Sequence, residues 1–245
     1  MRKLVVSDFD GTLKPFESDR VSEAVRNRID ALLDRGVEFA VSSGRTYGEL
    51  LSFLPEFRDR IYFICNDGAV YLKNGKPLYE KQIETADLGR FFELSGEYSC
   101  VLHGLTTNFC VGALHPGLEK AFSPIPVKSV YAIREKIYKV TTAGKQITLP
   151  QNAGIRTHWD GGPEQMAQFV NRFATKGSAL SDLQVRLMLT RYDTACIGDA
   201  GNDIPMMAGA KYSICIGERS RDLSAVCTHK KDTVEEALDF CLSQF

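Results

Sequence analysis

The chain has 245 residues, 44% hydrophobic and 25% charged, the balance of a soluble globular protein with material for one large domain or two modest ones. Its net charge is −1 with no basic block, which argues against nucleic acid or an anionic membrane as a partner. No apolar run approaches a membrane span, and the one after Met1-Arg2-Lys3 is too short for a signal-peptide core; seven scattered cysteines, none in Cys-x-x-Cys, read as buried reduced thiols of a cytoplasmic protein.

The apolar run Leu4-Val5-Val6 predicts a buried parallel strand that runs into Ser7-Asp8-Phe9-Asp10-Gly11-Thr12. Two carboxylates this close repel, so Asp8 and Asp10 imply a cation between them, an acid/base pair, or both. Counted from Asp8, an EF-hand loop needs Gly sixth and Glu twelfth, whereas Gly11 is fourth and Asp19 twelfth. A kinase Asp-Phe-Gly is excluded too, because Asp10 follows Phe9. A plain polar turn closing the strand is the remaining structural alternative.

Val21, Val25, Ile29 and Leu32 share one helix face, with Ser18 or Asp19 as the expected N-cap and Gly36 as the stop. A second strand, 37–41, ends in Ser42-Ser43-Gly44-Arg45, where a helix over 46–54 begins; a hydroxyl and free N–H groups at such a junction suit an anion. A third strand, 61–65, stops at Asn66-Asp67-Gly68. A hairpin turning at Asn74-Gly75 follows. Strand–helix alternation of this kind predicts a parallel sheet with right-handed crossovers.

The pattern then changes. A helix over 86–98 is followed by strand-like runs at 100–105, 108–112, 127–132, 137–142 and 155–159, with a helix over 115–122. Runs of strands predict an antiparallel α+β unit, and residues 81–175 are long enough for a small inserted domain within a core made of 1–80 and 176–245. Alternation returns with a helix after Lys176-Gly177, a strand over 194–197 ending in Gly198-Asp199-Ala200-Gly201-Asn202-Asp203, a strand over 212–216 and a closing helix over 234–242.

Four strand-end or helix-start signals thus stand in order: Asp-x-Asp-Gly-Thr at 8–12, Ser-Gly-Arg at 43–45, Lys176-Gly177, and Gly-Asp-x-x-Asn-Asp at 198–203. Singly each has a bland reading; Lys176 is a solvated lysine, and Asp199 and Asp203 favour a helix N-terminus. Together they supply acidic clusters for a divalent cation, and a cation with a hydroxyl for a phosphate.

This ordered set resembles the haloacid dehalogenase-like (HAD) phosphatases, and its first and last motifs look like the Cof-type, subfamily IIB members. The resemblance implies an α/β, Rossmannoid parallel-sheet core with an inserted α+β cap of the C2 type. It implies Asp8 as the nucleophile and Asp10 as the acid and base. Mg²⁺ would be held by Asp8, the Asp10 backbone carbonyl, Asp199 and Asp203, the last directly or from one shell out. Phosphate would be held by Ser43, Gly44 and Lys176, with Asn202 nearby. The substrate implied is a small phosphorylated metabolite such as a sugar phosphate. A phosphomutase or phosphotransferase, a true dehalogenase, and a catalytically idle metal-binding module are the alternatives. Asp10 counts against a dehalogenase, and the filled catalytic positions count against an idle module.

The chain departs from the family pattern at Ser43, where Thr is usual, and at Asp67, where Asn is usual. Gly217-Glu218-Arg219 lacks a common Asn-Ala, and the cap is short. In the cap, His103, Arg156, His158, Trp159 and Arg172 are candidates to reach a substrate, each with packing or surface as its plainer role.

Overall fold

The structure is a computed structural model that describes residues 2–95, 99–143, 154–160 and 166–245. The chain opens with β1 (Lys3–Asp8), α1 (Glu23–Asp34), β2 (Val37–Ser42), α2 (Tyr47–Phe53), β3 (Tyr62–Cys65), β4 (Val70–Lys73) and β5 (Lys76–Glu80). The middle carries α3 (Thr85–Ser95), β6 (Cys100–His103), β7 (Asn108–Val111), α4 (Pro116–Phe122), β8 (Ile125–Val127), β9 (Lys139–Thr142), β10 (Ile155–Asp160) and β11 (Met166–Asn171). It closes with α5 (Lys176–Leu187), β12 (Thr194–Gly198), α6 (Ile204–Met207), β13 (Tyr212–Ile216), α7 (Arg221–Val226), β14 (His229–Lys231) and α8 (Val234–Gln244). These elements form two compact units, one of Met1–Arg45, Leu50–Tyr79 and Thr175–Phe245, the other of Thr46–Glu49 and Glu80–Ala174. No helix among the described residues is long and apolar enough to cross a membrane.

The first unit is a Rossmannoid α/β core around an eight-stranded sheet ordered β14-β13-β12-β1-β2-β3-β4-β5. Leu4, Val5 and Val6 of β1 are wholly buried, as a strand covered on both faces requires. Full burial of such side chains stabilises by about 1.5–3 kcal/mol each. β1 pairs in parallel with β2 on one side and β12 on the other. Strand order therefore runs outward in both directions from β1, and the switch point lies between β1 and β12. Loops at the carboxyl ends of strands at such a point are where an open α/β sheet builds its sites.

α1 buries Val25, Ile29 and Leu32, as the spacing predicts, but its N-cap is Ser22, whose side chain accepts from Val25 N. Ser18 is unavailable for that role because its Oγ accepts from Arg20 N and closes a turn of its own. Gly36 ends the helix with φ +76°, a backbone region that favours glycine. Asn74 and Gly75 both take positive φ, at 55° and 69°, as a two-residue hairpin turn requires.

The second unit is built on a six-stranded sheet ordered β10-β11-β9-β6-β7-β8, antiparallel except between β7 and β8. Its core packs Phe91 against Phe169, ring centroids 4.9 Å apart, with Leu102 and Val140 buried around them. Three sequence expectations change here. The run at 127–132 is a strand only to Val127; Ser129 Oγ then accepts from Tyr131 N and starts a short 3-10 turn at Val130–Ala132. β11 has no counterpart among the strands expected from the sequence, since Ala167 and Gln168 dilute its alternation. The helix expected over 86–98 is α3 as far as Ser95, and 96–98 lie outside the described residues.

Candidate active site

Asp8, Asp199 and Asp203 each bring a carboxylate oxygen within 4.8 Å of the others, and all three are buried. Asp8 ends β1, and Asp199 follows β12 directly; the register pairs Ser7 with Ile197, so the two strand ends lie side by side. Asp203 comes back to the same place through the tight turn Gly201–Asp203. Its Oδ2 accepts hydrogen bonds from Asp199 N and Ala200 N, both 3.1 Å. This closure needs glycine at 198, where a Cβ would stand 2.5 Å from Asp203 Oδ2.

Lys176 fills the centre of the cluster. Its Nζ donates to Asp8 Oδ1 at 2.5 Å and to Asp203 Oδ1 at 2.7 Å, and the residue is 2% exposed. Lys176 is the first residue of α5, whose start is held by a capping box between Thr175 and Ser178. The start of α5 in turn packs on Gly68, the last of three consecutive residues with positive φ, at 50°, 57° and 86°. A Cβ on Gly68 would meet the Thr175 carbonyl oxygen at 2.1 Å, so that glycine sets where α5 begins and hence where Lys176 projects.

Three buried carboxylates against one buried ammonium leave an excess of negative charge. Burial pushes the Asp8 carboxyl well above its usual value, with Lys176 pulling it back and Asp203 and Asp199 pushing further. Burial also raises Asp199, with Asp203 adding to the rise and Arg219 opposing it. Lys176 is raised despite its burial, because Asp203 and Asp8 hold its proton. Asp199 Oδ1 accepts from Thr12 Oγ1 at 3.2 Å, while its Oδ2 is buried and receives no hydrogen bond. A buried carboxylate oxygen that accepts no hydrogen bond, an all-oxygen donor set and surplus negative charge together fit a hard divalent cation. Asp8 and Asp199 are the residues with oxygens to give. Asp203 has both of its oxygens committed, to Lys176 and to the backbone of 199–200.

The Asp10 carboxylate is not part of this cluster. It accepts a bidentate pair from Arg45, Nε at 2.7 Å and Nη2 at 2.9 Å, and Lys14 Nζ stands 3.5 Å away. The Arg45 guanidinium lies over the rings of Phe53 and Phe9, at 5.1 and 5.7 Å. The Ser-Gly-Arg loop is fixed beside β3: Ser43 N donates to Ile64 O, Asn66 N to Arg45 O and Asp67 N to Ser43 O, at 2.9, 2.9 and 3.0 Å. Ser43 is buried, and its Oγ accepts from Arg45 N. Gly44 follows it, exposing the loop backbone partly to solvent. Asn202 sits half-buried in the middle of the turn Gly201–Asp203.

Nothing in the sequence gives Arg45 a role apart from its loop motif or pairs Thr12 with Asp199; both partnerships come from the fold. In the second unit, His103 is buried with Nδ1 2.8 Å from Asn108 Oδ1 and Nε2 2.8 Å from Thr141 Oγ1. Both ring nitrogens are therefore engaged in packing. Arg172 lies over the ring of its neighbour Phe173, at 5.1 Å. The side chains of Arg156, His158 and Trp159 lie outside the described residues.

A family model described as haloacid dehalogenase-like hydrolase matches residues 5–237. In Escherichia coli, the 5-amino-6-(5-phospho-D-ribitylamino)uracil phosphatase YbjI is 28% identical over 81 residues, a match covering 33% of this chain and only 30% of that protein. YxeH of Bacillus subtilis, provisionally named a phosphatase, is 24% identical over 88% of this chain and 87% of its own. Among solved structures, SMU.1108c of Streptococcus mutans superposes with a TM-score of 0.84 at 20% identity, covering 99% and 100% of the two chains. BT4131, described as a HAD subclass IIB sugar phosphatase, superposes with a TM-score of 0.79 at 20% identity over 98% and 99%. At these identities the superpositions establish the fold.

Proposed function

The chain belongs to the haloacid dehalogenase-like hydrolases, and from that premise we propose that it is a Mg²⁺-dependent phosphatase of small phosphorylated metabolites that works through an aspartyl phosphate on Asp8. The observation that carries this reading is the buried group of Asp8, Asp199, Asp203 and Lys176, in which one oxygen of Asp199 accepts no hydrogen bond. Asp8 and Asp199 would hold the ion with the Asp10 carbonyl, Asp203 supporting them through Lys176 and the 199–200 backbone. When bound, the ion supplies the positive charge that lets a carboxylate approach a phosphate.

In the first step a carboxylate oxygen of Asp8 bonds to phosphorus, the ester P–O bond breaks, and Asp10 gives its proton to the departing alkoxide. Asp10 has to loosen its bidentate hold on Arg45 to do so. In the second step Asp10 takes a proton from water, which attacks the same phosphorus; the acyl P–O bond breaks, releasing phosphate and restoring Asp8. Lys176 stays charged throughout and offsets the charge that spreads over the phosphoryl oxygens. Ser43 and the backbone of Gly44 are the further phosphate contacts, with Asn202 beside them.

The sugar-phosphate class is supported by the description of BT4131. We assign the choice among such substrates to the insertion at 81–175, and a cytoplasmic setting to a chain whose seven cysteines are scattered with no Cys-x-x-Cys pair. The test is turnover of p-nitrophenyl phosphate and a panel of sugar phosphates. Hydrolysis should need Mg²⁺, stop with EDTA and vanish in Asp8→Asn. Activity of that variant within about tenfold of wild type rejects the nucleophile, since losing a covalent catalyst costs far more.

A further inference from the structure

One cation at the edge of the cluster has no part in that scheme. Arg219, three residues beyond the end of β13, places Nη1 3.5 Å from Asp199 Oδ2. Its guanidinium lies over the ring of Phe16, 4.1 Å from the centroid. The Arg219 side chain is 58% exposed and Phe16 53%, whereas Asp199 is 2% exposed, so Arg219 approaches Asp199 from the solvent side. Phe16 is seated on the Asp8–Thr12 loop, because a Cβ on Gly11 would come within 2.3 Å of its ring. The glycine of the first motif thus clears a perch for Phe16, and Phe16 carries Arg219 to the one buried oxygen of Asp199 that no hydrogen bond satisfies.

We propose that Arg219 is a built-in counter-ion that competes with the divalent cation for Asp199 and so sets how tightly the metal is held. The inference rests on the metal reading above. A guanidinium and a divalent ion cannot both take their full interaction with one carboxylate oxygen, because their like charges would lie a few ångströms apart. The guanidinium is the one able to leave: it is on a long flexible stem, contacts Asp199 beyond hydrogen-bonding distance, and is steadied by an exposed cation–π contact. Metal entry moves it outward, and its departure is a cost charged to every binding event.

The test is calorimetric titration of Mg²⁺ into metal-free wild type, Arg219→Gln and Arg219→Lys at low ionic strength. Arg219→Gln should bind Mg²⁺ roughly threefold tighter, the scale of one partly screened charge, and the gap should narrow as salt rises. Arg219→Lys should return most of the way to wild type. An Arg219→Gln affinity equal to or weaker than wild type overturns the proposal, as does a lysine variant indistinguishable from the glutamine one. If wild type itself takes up no Mg²⁺, the metal reading fails and this inference with it, a result distinct from equal binding by both proteins.

Discussion

Replacing Lys176 by Met keeps the volume of the stem and removes the ammonium between Asp8 and Asp203. Side-chain exposure there is 1% for Lys176 and 0% for Asp203, so water cannot take over the lost contacts. Breaking a buried pair by removing one partner costs about 3–5 kcal/mol. A second route bounds that figure. The orphaned carboxylates escape by taking a proton, and holding one carboxyl of ordinary pKa near 4 protonated costs about 5 kcal/mol at pH 7.5 and about 2 kcal/mol at pH 5.5. Burial already raises Asp8 and Asp199 in the wild type, and loss of Lys176 raises Asp8 further. Carboxyls raised in this way stabilise the fold below the ordinary carboxylate pKa and cease to as the pH climbs through the raised value. Urea unfolding of Lys176→Met in EDTA, followed by circular dichroism, should therefore show a loss of about 3–5 kcal/mol at pH 7.5 that shrinks to about 2 kcal/mol at pH 5.5. Saturating Mg²⁺ should recover part of the loss at the higher pH, since the ion fills the same charge deficit. A loss below about 1 kcal/mol at pH 7.5, the scale of an exposed pair, refutes the reasoning. So does a loss that is the same at both pH values.

Asp10→Asn should lower kcat/KM for alkyl phosphates by about 10²–10⁴-fold and for p-nitrophenyl phosphate far less in the first step, because an activated leaving group needs little protonation; equal losses in the burst phase count against Asp10 as the acid. Gly68→Ala should destabilise by about 2–4 kcal/mol, from a left-handed backbone and a clash with the Thr175 carbonyl, and wild-type urea stability in that variant contradicts the account of how α5 is placed. Asp193 accepts from Lys3 and Thr190, which hold its carboxyl down at about 2. Its contribution is present above the ordinary carboxylate pKa and is lost as the pH falls through about 2; the Tm gap between wild type and Asp193→Asn should be open at pH 7 and close toward pH 2.

Much of the core was legible because its signals are local. β1 announces itself by an unbroken apolar run, the hairpin by Asn74-Gly75, and the end of α1 by Gly36. What the sequence hid depends on partners distant along the chain. Ser22 rather than Ser18 caps α1 only because Ser18 is engaged in a turn with Arg20. β14 is three polar residues, His229–Lys231, whose strand character comes from pairing with β13 rather than from alternation. That Lys176 bridges Asp8 and Asp203 is a contact across 168 positions, visible beforehand only through the family resemblance. Arg45 and Arg219 carried no signal of their own: the first was one letter of a loop motif, and the second stood out only as a departure from the usual pattern. The pairing of each with a particular aspartate is a product of the fold.

The central claim is that phosphorus is passed to Asp8, and chemical trapping tests it most directly. Wild-type protein mixed with Mg²⁺ and a turned-over phosphate ester is quenched with acid within one turnover, reduced with borohydride and digested. An aspartyl phosphate is reduced to homoserine, so the peptide spanning 4–13 should carry homoserine at position 8, and the change should be absent without Mg²⁺ and in Asp8→Asn. Single-turnover release of the alcohol with Asp8 unmodified, or homoserine at any other aspartate, contradicts the account.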